Sequence, residues 1–213
     1  SIALFKRVIK CKDWLQALCC KLLGERCLLV SKLSSRLRLI DGCDVSEPGE
    51  TGSRWRIHYS VSMPDVMCDQ FEITPVKGGG TGESLCRFDV KFGDILVADR
   101  GYSRAKDIAH VVKNSGDVCV RLNYTSLPLL SSKGTTFPLV QSLKKLDRAG
   151  ACGEWDVQIH DKESGEFIKG RICAVRKSYD AILRSNKRCA GKAQKNHNNL
   201  SAKNLFVNEY VIV

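Results

Sequence analysis

Apolar residues recur along this chain in two rhythms. Through residues 1–30, Val8, Ile9, Trp14, Leu15, Leu18, Leu22 and Leu23 fall at helical spacing, which predicts a helix that Gly24 ends or interrupts. From residue 36 the period changes to two. Leu37 and Leu39 alternate with Arg36 and Arg38 and lead into Asp41. In RWRIHYSVSM, Trp55, Ile57, Tyr59, Val61 and Met63 share one face, and Arg54, Arg56, His58, Ser60 and Ser62 the other. That pattern predicts a half-buried strand. Phe71 and Ile73 mark a third strand, KGGGTGES turns the chain, and ESLCRF predicts a short helix. ILVA at 95–98 is a continuous apolar run, as in a buried central strand, and it ends at Asp99. Ser103 is placed to cap the helix RAKDIAHVVKN, whose Ile108, Val111 and Val112 share a face and whose stop is Gly116. DVCVR follows as a strand, so residues 36–122 read β-β-β-α-β-α-β.

The character then changes. LPLLSSKGTTFPLV, residues 127–140, carries Pro128 and Pro138 and reads as a linker. Residues 154–175 predict a hairpin: Trp155, Val157 and Ile159 alternate with polar residues, ESGE turns, and FIKGRICAV returns. A basic run, RSNKRCAGKAQKNHNN, precedes LFVNEYVIV, which reads as strand. These breaks divide the chain into a basic helical segment (1–35), a mixed α/β region (36–126), a β-rich region with a basic tail (127–203) and a closing strand (204–213). The chain starts on Ser1 rather than Met, and both ends read as cuts through a longer protein.

Composition adds three points. No run of about 18 apolar residues exists to span a membrane, and the first residues lack a signal-peptide cleavage site, so an intracellular protein is expected. The eleven cysteines are an odd number, include no CxxC, and mostly sit in apolar surroundings such as DVCVR. They are expected to be reduced, mostly buried thiols rather than a disulfide framework or zinc site. The net charge of +11 is segregated. Residues 1–40 carry nine Lys/Arg against two acids, and residues 184–203 carry six Lys/Arg and no acid. Basic segments of that kind suit a polyanion, although solvated faces would look the same.

Two acids stand at strand ends: Asp41 in LRLIDGCDV and Asp99 in ILVADRGYSR. A strand-end Asp ordinarily caps the turn that follows it. Two of them on adjacent strands could instead hold a pair of Mg²⁺ ions roughly 4 Å apart. Asp44 rivals Asp41; the alternation favours Asp41, which shares the parity of Leu37 and Leu39, toward the core and cleft. Arg100 and Arg104 suit phosphate or surface ion pairs, and Lys187, Arg188, Lys192 and Lys195 suit a nucleic-acid backbone. Trp155 is a core residue by its alternation, or a base-stacking one. Gly78–Gly80 and Gly82 lack the GK[ST] of a phosphate loop and read as a turn.

Taken in order, Asp41-Gly42, Pro48-Gly49, Trp55-Arg56-Ile57-His58 and Asp99-Arg100-Gly101-Tyr102 resemble the core of DDE transposases of bacterial insertion sequences, in the insertion sequence 4 group. The resemblance covers roughly residues 30–126. It implies an α/β, RNase H-like mixed sheet with flanking helices, interrupted by a mostly β insertion domain. It implies Asp41 and Asp99 as the first two catalytic, metal-holding acids, with two Mg²⁺ ions (Mn²⁺ as substitute). It implies DNA strand cleavage and strand transfer on element ends and target, a homodimer in the synaptic complex, and a cytoplasmic, nucleoid-associated protein. The group's third acid lies in a Tyr-x-x-Arg-x-x-x-Glu pattern that this chain lacks; Glu209 has no such context. The chain alone is therefore expected to bind DNA without cutting it. A DNA-binding remnant and a purely hydrolytic RNase H-like nuclease are the alternatives.

Overall fold

A computed structural model describes residues 36–46, 55–63, 66–195 and 201–213, with the single positions Ala17 and Lys21. The expected helix over 1–30, those two positions apart, and the Pro48-Gly49 loop lie outside the described residues. The chain divides after Val120 into two units.

The first unit is built on five strands: β1 (Arg36–Val45), β2 (Trp55–Ser62), β3 (Met67–Pro75), β4 (Asp94–Ala98) and β5 (Asp117–Val120), in spatial order β3-β2-β1-β4-β5. β1–β2 and β2–β3 are antiparallel, whereas β1–β4 and β4–β5 are parallel. The parallel joins require crossovers. One is the 3₁₀ turn Leu85–Arg87, and the other is helix α1 (Ala105–Lys113), which buries Ile108, Ala109 and Val111. Leu96 of β4 is fully buried, as the apolar run predicts.

The strand alternation is real, but the buried face is the polar one. Arg38, Ile40, His58, Ser60 and Ser62 are buried, while Leu37 and Leu39 are 38% and 39% exposed. The reading of the leucine parity as the core-facing side of β1 is thus reversed. Neighbouring strands supply the reason. Arg38 donates to Ser60 Oγ at 2.9 Å and to Asp94 Oδ2 at 3.0 Å, and lies 3.0 Å from Asp69. Arg36 adds a forked pair to Asp94. A buried charge is tolerated when it is paired and hydrogen-bonded in this way. Burial alone would raise the Asp94 carboxyl, but the Arg36 hydrogen bond, the Lys91 amide and the two guanidinium charges hold it below its ordinary value.

Three local expectations change. Ser103 is buried, and the residue at the start of α1 is Arg104, without a side-chain cap. The helix exit is made by Asn114 and by Ser115 at φ +59°, not by Gly116. Gly116 is required for space instead: a β-carbon there would lie 2.6 Å from Val90 Cγ1 and 3.2 Å from the Asp94 carbonyl oxygen. Val112 is 44% exposed and leaves the buried face.

The second unit holds the predicted hairpin, β6 (Cys152–His160) and β7 (Phe167–Arg176), with Val157, Ile159 and Ile172 buried. Its turn is shaped by buried Asp161, whose carboxylate accepts from the Ser164 hydroxyl at 2.7 Å and from the Glu163 and Ser164 amides. The closing segment is not a single strand. Ala202–Val207 forms a short helix, and only Tyr210–Ile212 (β8) pairs, antiparallel to β7, so β8 joins the hairpin's sheet. Counting helices onward from α1, this unit carries α2 (Leu139–Lys144), α3 (Tyr179–Lys195) and α4 (Ala202–Val207), so it holds helix as well as strand. Residues 184–195 of the basic run lie in helix α3, with Arg184, Lys187 and Arg188 exposed.

The cysteines also differ from expectation. Cys43, Cys68, Cys86, Cys119, Cys152, Cys173 and Cys189 are free, and none of these seven is fully buried. Cys119 is exposed because it lies on β5, an edge strand, on the side away from buried Val120. Among the described residues no helix is long and apolar enough to cross a membrane.

Candidate functional site

The parallel pairing of β1 with β4 runs from Arg36↔Asp94 to Ile40↔Ala98. Asp41 follows Ile40 and Asp99 follows Ala98, so the two predicted acids stand at the same level; only Asp99 is at a strand end, and Asp41 lies within β1 rather than at the end the sequence pattern suggests. A strand fixes such a side chain through its backbone ladder, which is how acids are brought together without help from sequence proximity. β1 continues past this point, paired through Asp41↔Tyr59, while β4 ends and Asp99 starts a 3₁₀ turn, Arg100–Tyr102.

Each acid is oriented by a hydrogen bond. Asp41 Oδ1 accepts from the Gly42 amide at 2.8 Å, and its Oδ2 accepts from the Tyr59 hydroxyl at 3.3 Å. Asp99 Oδ1 accepts from the Gly101 amide at 2.7 Å. Burial together with the Asp41 charge raises the Tyr59 hydroxyl. Asp44 has a different role. Its carboxylate takes the Arg56 guanidinium at 2.6 and 3.3 Å, and that pairing holds it below its usual range.

A third acid stands beside these, one that the sequence pattern places only in a turn. Glu83 follows the glycine-rich segment and is half-buried. A β-carbon on Gly101 would lie 1.9 Å from Glu83 Oε2 and 3.2 Å from Asp99 Oδ1, so one small space separates the two carboxylates. A β-carbon on Gly42 would lie 3.4 Å from Glu83 Cγ and Oε1 and from the Tyr102 hydroxyl. Burial raises the Glu83 carboxyl, and the Asp99 charge raises it further; Arg56 opposes, and Asp41 and Asp44 add to the rise. Tyr102 is fully buried, and its hydroxyl has no hydrogen-bond partner. An orphaned buried hydroxyl costs about 1–3 kcal/mol. Burial and the charges of Glu83, Asp41 and Asp99 push the Tyr102 hydroxyl well above its ordinary range. The signal available in the sequence was spacing: an acid immediately after Gly82, and a glycine one or two residues beyond each strand-end Asp.

His58, from the Trp-Arg-x-His element, is fully buried behind this site. Its Nε2 lies 3.0 Å from Thr74 Oγ1, and its Nδ1 has no hydrogen-bond partner. Burial pushes it down to about 4, aided by Arg87, so the ring is neutral at pH 7.

Arg100 and Arg104 are exposed on either side of the 3₁₀ turn that begins at Asp99. Lys187 and Arg188 are exposed on α3 of the second unit, and the side chains of Lys192 and Lys195 lie outside the described residues. Trp155 is half-buried, with its ring 6.3 Å from that of Phe137. Glu209 is committed to Arg176 at 3.1 Å.

Hard carboxylate oxygens, with glycines that leave room beside them, are the donor set that suits Mg²⁺ or Mn²⁺. Among the described residues no three His, Cys, Asp or Glu side chains already surround one point as a metal site would. Mg²⁺ keeps much of its water shell and commonly takes only one or two protein carboxylates, so the pairs present here fit such an ion.

Among curated proteins, the chain is similar to a protein named as the transposase InsL of insertion sequence element IS186A in Escherichia coli strain K12, with 32% identity over 180 residues. Its counterpart named for IS186B and the transposase of insertion sequence element IS421, also from Escherichia coli, match at the same identity. Each alignment covers 82% of this chain but only 47–48% of the relative, so the chain spans about half the length of the curated relatives it matches. No protein-family profile matches the chain. No solved structure matches it.

Proposed function

We propose that this chain carries the first two acids of a DDE-type transposase and acts in the transposition of an insertion sequence. The observation that supports this most is the register Ile40↔Ala98, which sets Asp41, within β1, level with Asp99 just past the end of β4. The sheet itself, three strands in antiparallel succession and two joined in parallel, fits an RNase H-like core, and the second unit fits a domain inserted into it. The similarity to transposases of insertion sequences supports the same reading.

In this reading Asp41 and Asp99 hold two Mg²⁺ ions. When bound, the ions activate a water or a DNA 3′-hydroxyl and stabilise the leaving oxygen. The chain's own residues prepare for that. Tyr59 and the Gly42 amide fix Asp41, and the Gly101 amide fixes Asp99. Arg100 and Arg104, exposed next to Asp99, bind phosphates of the strand being cut. The exposed Lys187 and Arg188 of α3 bind the DNA backbone. The substrates are the ends of the mobile element and target DNA, handled by a homodimer in the bacterial cytoplasm at the nucleoid. Lacking the Tyr-x-x-Arg-x-x-x-Glu acid, the 213-residue chain binds DNA and leaves it uncut.

A transposition assay with the native mobile element tests this. Asp41→Asn or Asp99→Asn abolishes transposition, and Asp44→Asn leaves it measurable. Transposition that survives Asp99→Asn overturns the proposal, and DNA hydrolysis with no strand transfer favours a nuclease.

A further inference from the structure

The glycine-lined space beside Asp99 has an occupant that the DDE reading does not use. We propose that Glu83 and Asp99 together form a position for a divalent cation, reached from the buried side of the sheet, and that the Tyr102 hydroxyl hydrogen-bonds the hydration shell of that ion. The proposal rests on Asp99 being a metal ligand, as argued above, but it does not require Asp41.

The alternation along β1 separates the two acids that flank Asp99. Asp41 has the parity of Leu37 and Leu39, on the exposed face. Gly42 has the parity of Arg38 and Ile40, on the buried face, and it is Gly42 that Glu83 and Tyr102 approach. Glu83 therefore comes to Asp99 from the opposite side to Asp41, with an ion position of its own.

The space is built for this approach. A methyl on Gly101 would stand 1.9 Å from Glu83 Oε2, so Glu83 can lie where it does only because residue 101 has no side chain. The segment carrying Glu83 is anchored on both sides. Buried Asp107 of α1 accepts from the Ser84 hydroxyl and from the Leu85 amide at 2.9 Å. Arg87 Nε donates to the Gly82 carbonyl at 3.0 Å, and Thr74 donates to the Thr81 carbonyl at 3.3 Å. Two carboxylates held this close repel each other unless a proton or a cation lies between them. Arg56, which faces Glu83, is already committed to Asp44. Tyr102 supplies the independent sign: a fully buried hydroxyl, unpartnered, aimed at the same strand end. Mg²⁺ and Mn²⁺ need no more than two carboxylates from the protein.

The test is Mn²⁺ binding by the full 213-residue chain, followed by electron paramagnetic resonance of the free ion, with no DNA and no turnover. Glu83→Gln and Asp99→Asn should each weaken binding by at least about tenfold, the scale on which lost metal contacts act. Tyr102→Phe should weaken it less, and Glu209→Gln, whose carboxylate pairs with Arg176, should not change it. If Glu83→Gln binds like the wild type while Asp99→Asn does not, Glu83 has no part and the Asp41–Asp99 reading stands. If Glu83→Gln loses binding while Asp41→Asn keeps it, the Glu83–Asp99 position stands and the Asp41 assignment falls. Unchanged binding in Asp99→Asn overturns both. Should Glu83→Gln fail to fold, Gly101→Ala is the second variant. It keeps Glu83 but displaces its carboxylate, and must likewise weaken Mn²⁺; wild-type affinity in Gly101→Ala overturns the proposal.

Discussion

Mild acid should weaken the first unit through His58. The ring is fully buried in the sheet's polar face and stands at about 4 in the fold, against 6.5 for a free histidine. Its folded value is depressed, so the unfolded chain binds the proton first. The stability is therefore complete above pH 6.5, declines as pH falls below that value, and levels near pH 4. Linkage over that interval gives a loss of about 2 kcal/mol between about pH 7 and pH 5. Asp44 and Asp94 work in a lower window. Their folded values lie below the ordinary 3.8, so what they contribute is present above 3.8 and disappears only as pH falls through the folded values. Urea unfolding at pH 7, 6 and 5, compared with His58→Gln, isolates the effect, because a glutamine amide can reach Thr74 yet does not titrate. The variant should be less stable at pH 7 and nearly flat across this range. Equal pH dependence in both proteins would refute the reasoning.

Two other perturbations follow from the same geometry. Gly116→Ala forces a methyl to within 2.6 Å of Val90 Cγ1 and 3.2 Å of a backbone oxygen, so it should cost about 1–3 kcal/mol in urea unfolding. Gly170→Ala, which meets nothing within 4 Å, should not. For DNA, affinity should fall steeply with salt, at a log–log slope of roughly −0.9 per phosphate neutralised. Lys187→Gln with Arg188→Gln should make that slope shallower in a fluorescence anisotropy titration, and an unchanged slope would show that α3 does not touch the backbone.

Period and punctuation carried much of the fold. The two-residue alternation of 36–45 and 55–63, the apolar run 95–98 and the amphipathic 105–113 all form the strands and helix their patterns predict. Alternation tells that a strand has two faces, but not which is buried. Here Arg38 and His58 lie inside because Asp94, Asp69, Ser60 and Thr74 are brought to them by other strands, a match between residues up to 56 positions apart that no local pattern displays. Residues 184–195 show only charge in sequence, without a strong apolar stripe, yet they lie in helix α3. LFV at 205–207 looked like strand by composition, but Ser201 caps a helix there by accepting from the Asn204 amide. Asp41 and Asp99 were legible as candidates because each closes a strand-like pattern with a glycine one or two residues beyond it. Glu83 was not, because its place beside Asp99 depends on the absent side chain of Gly101 and on Asp107 holding its loop.

The central claim is that Asp41 and Asp99 hold a divalent metal. Iron-directed protein cleavage tests it most directly. Fe²⁺ bound in place of Mg²⁺, with ascorbate and peroxide, generates hydroxyl radicals that cut the polypeptide next to the ion. Cuts are expected near residues 41 and 99, competed away by Mg²⁺ and lost in Asp99→Asn. Cuts elsewhere in the chain, or a pattern that Asp99→Asn leaves unchanged, would contradict it.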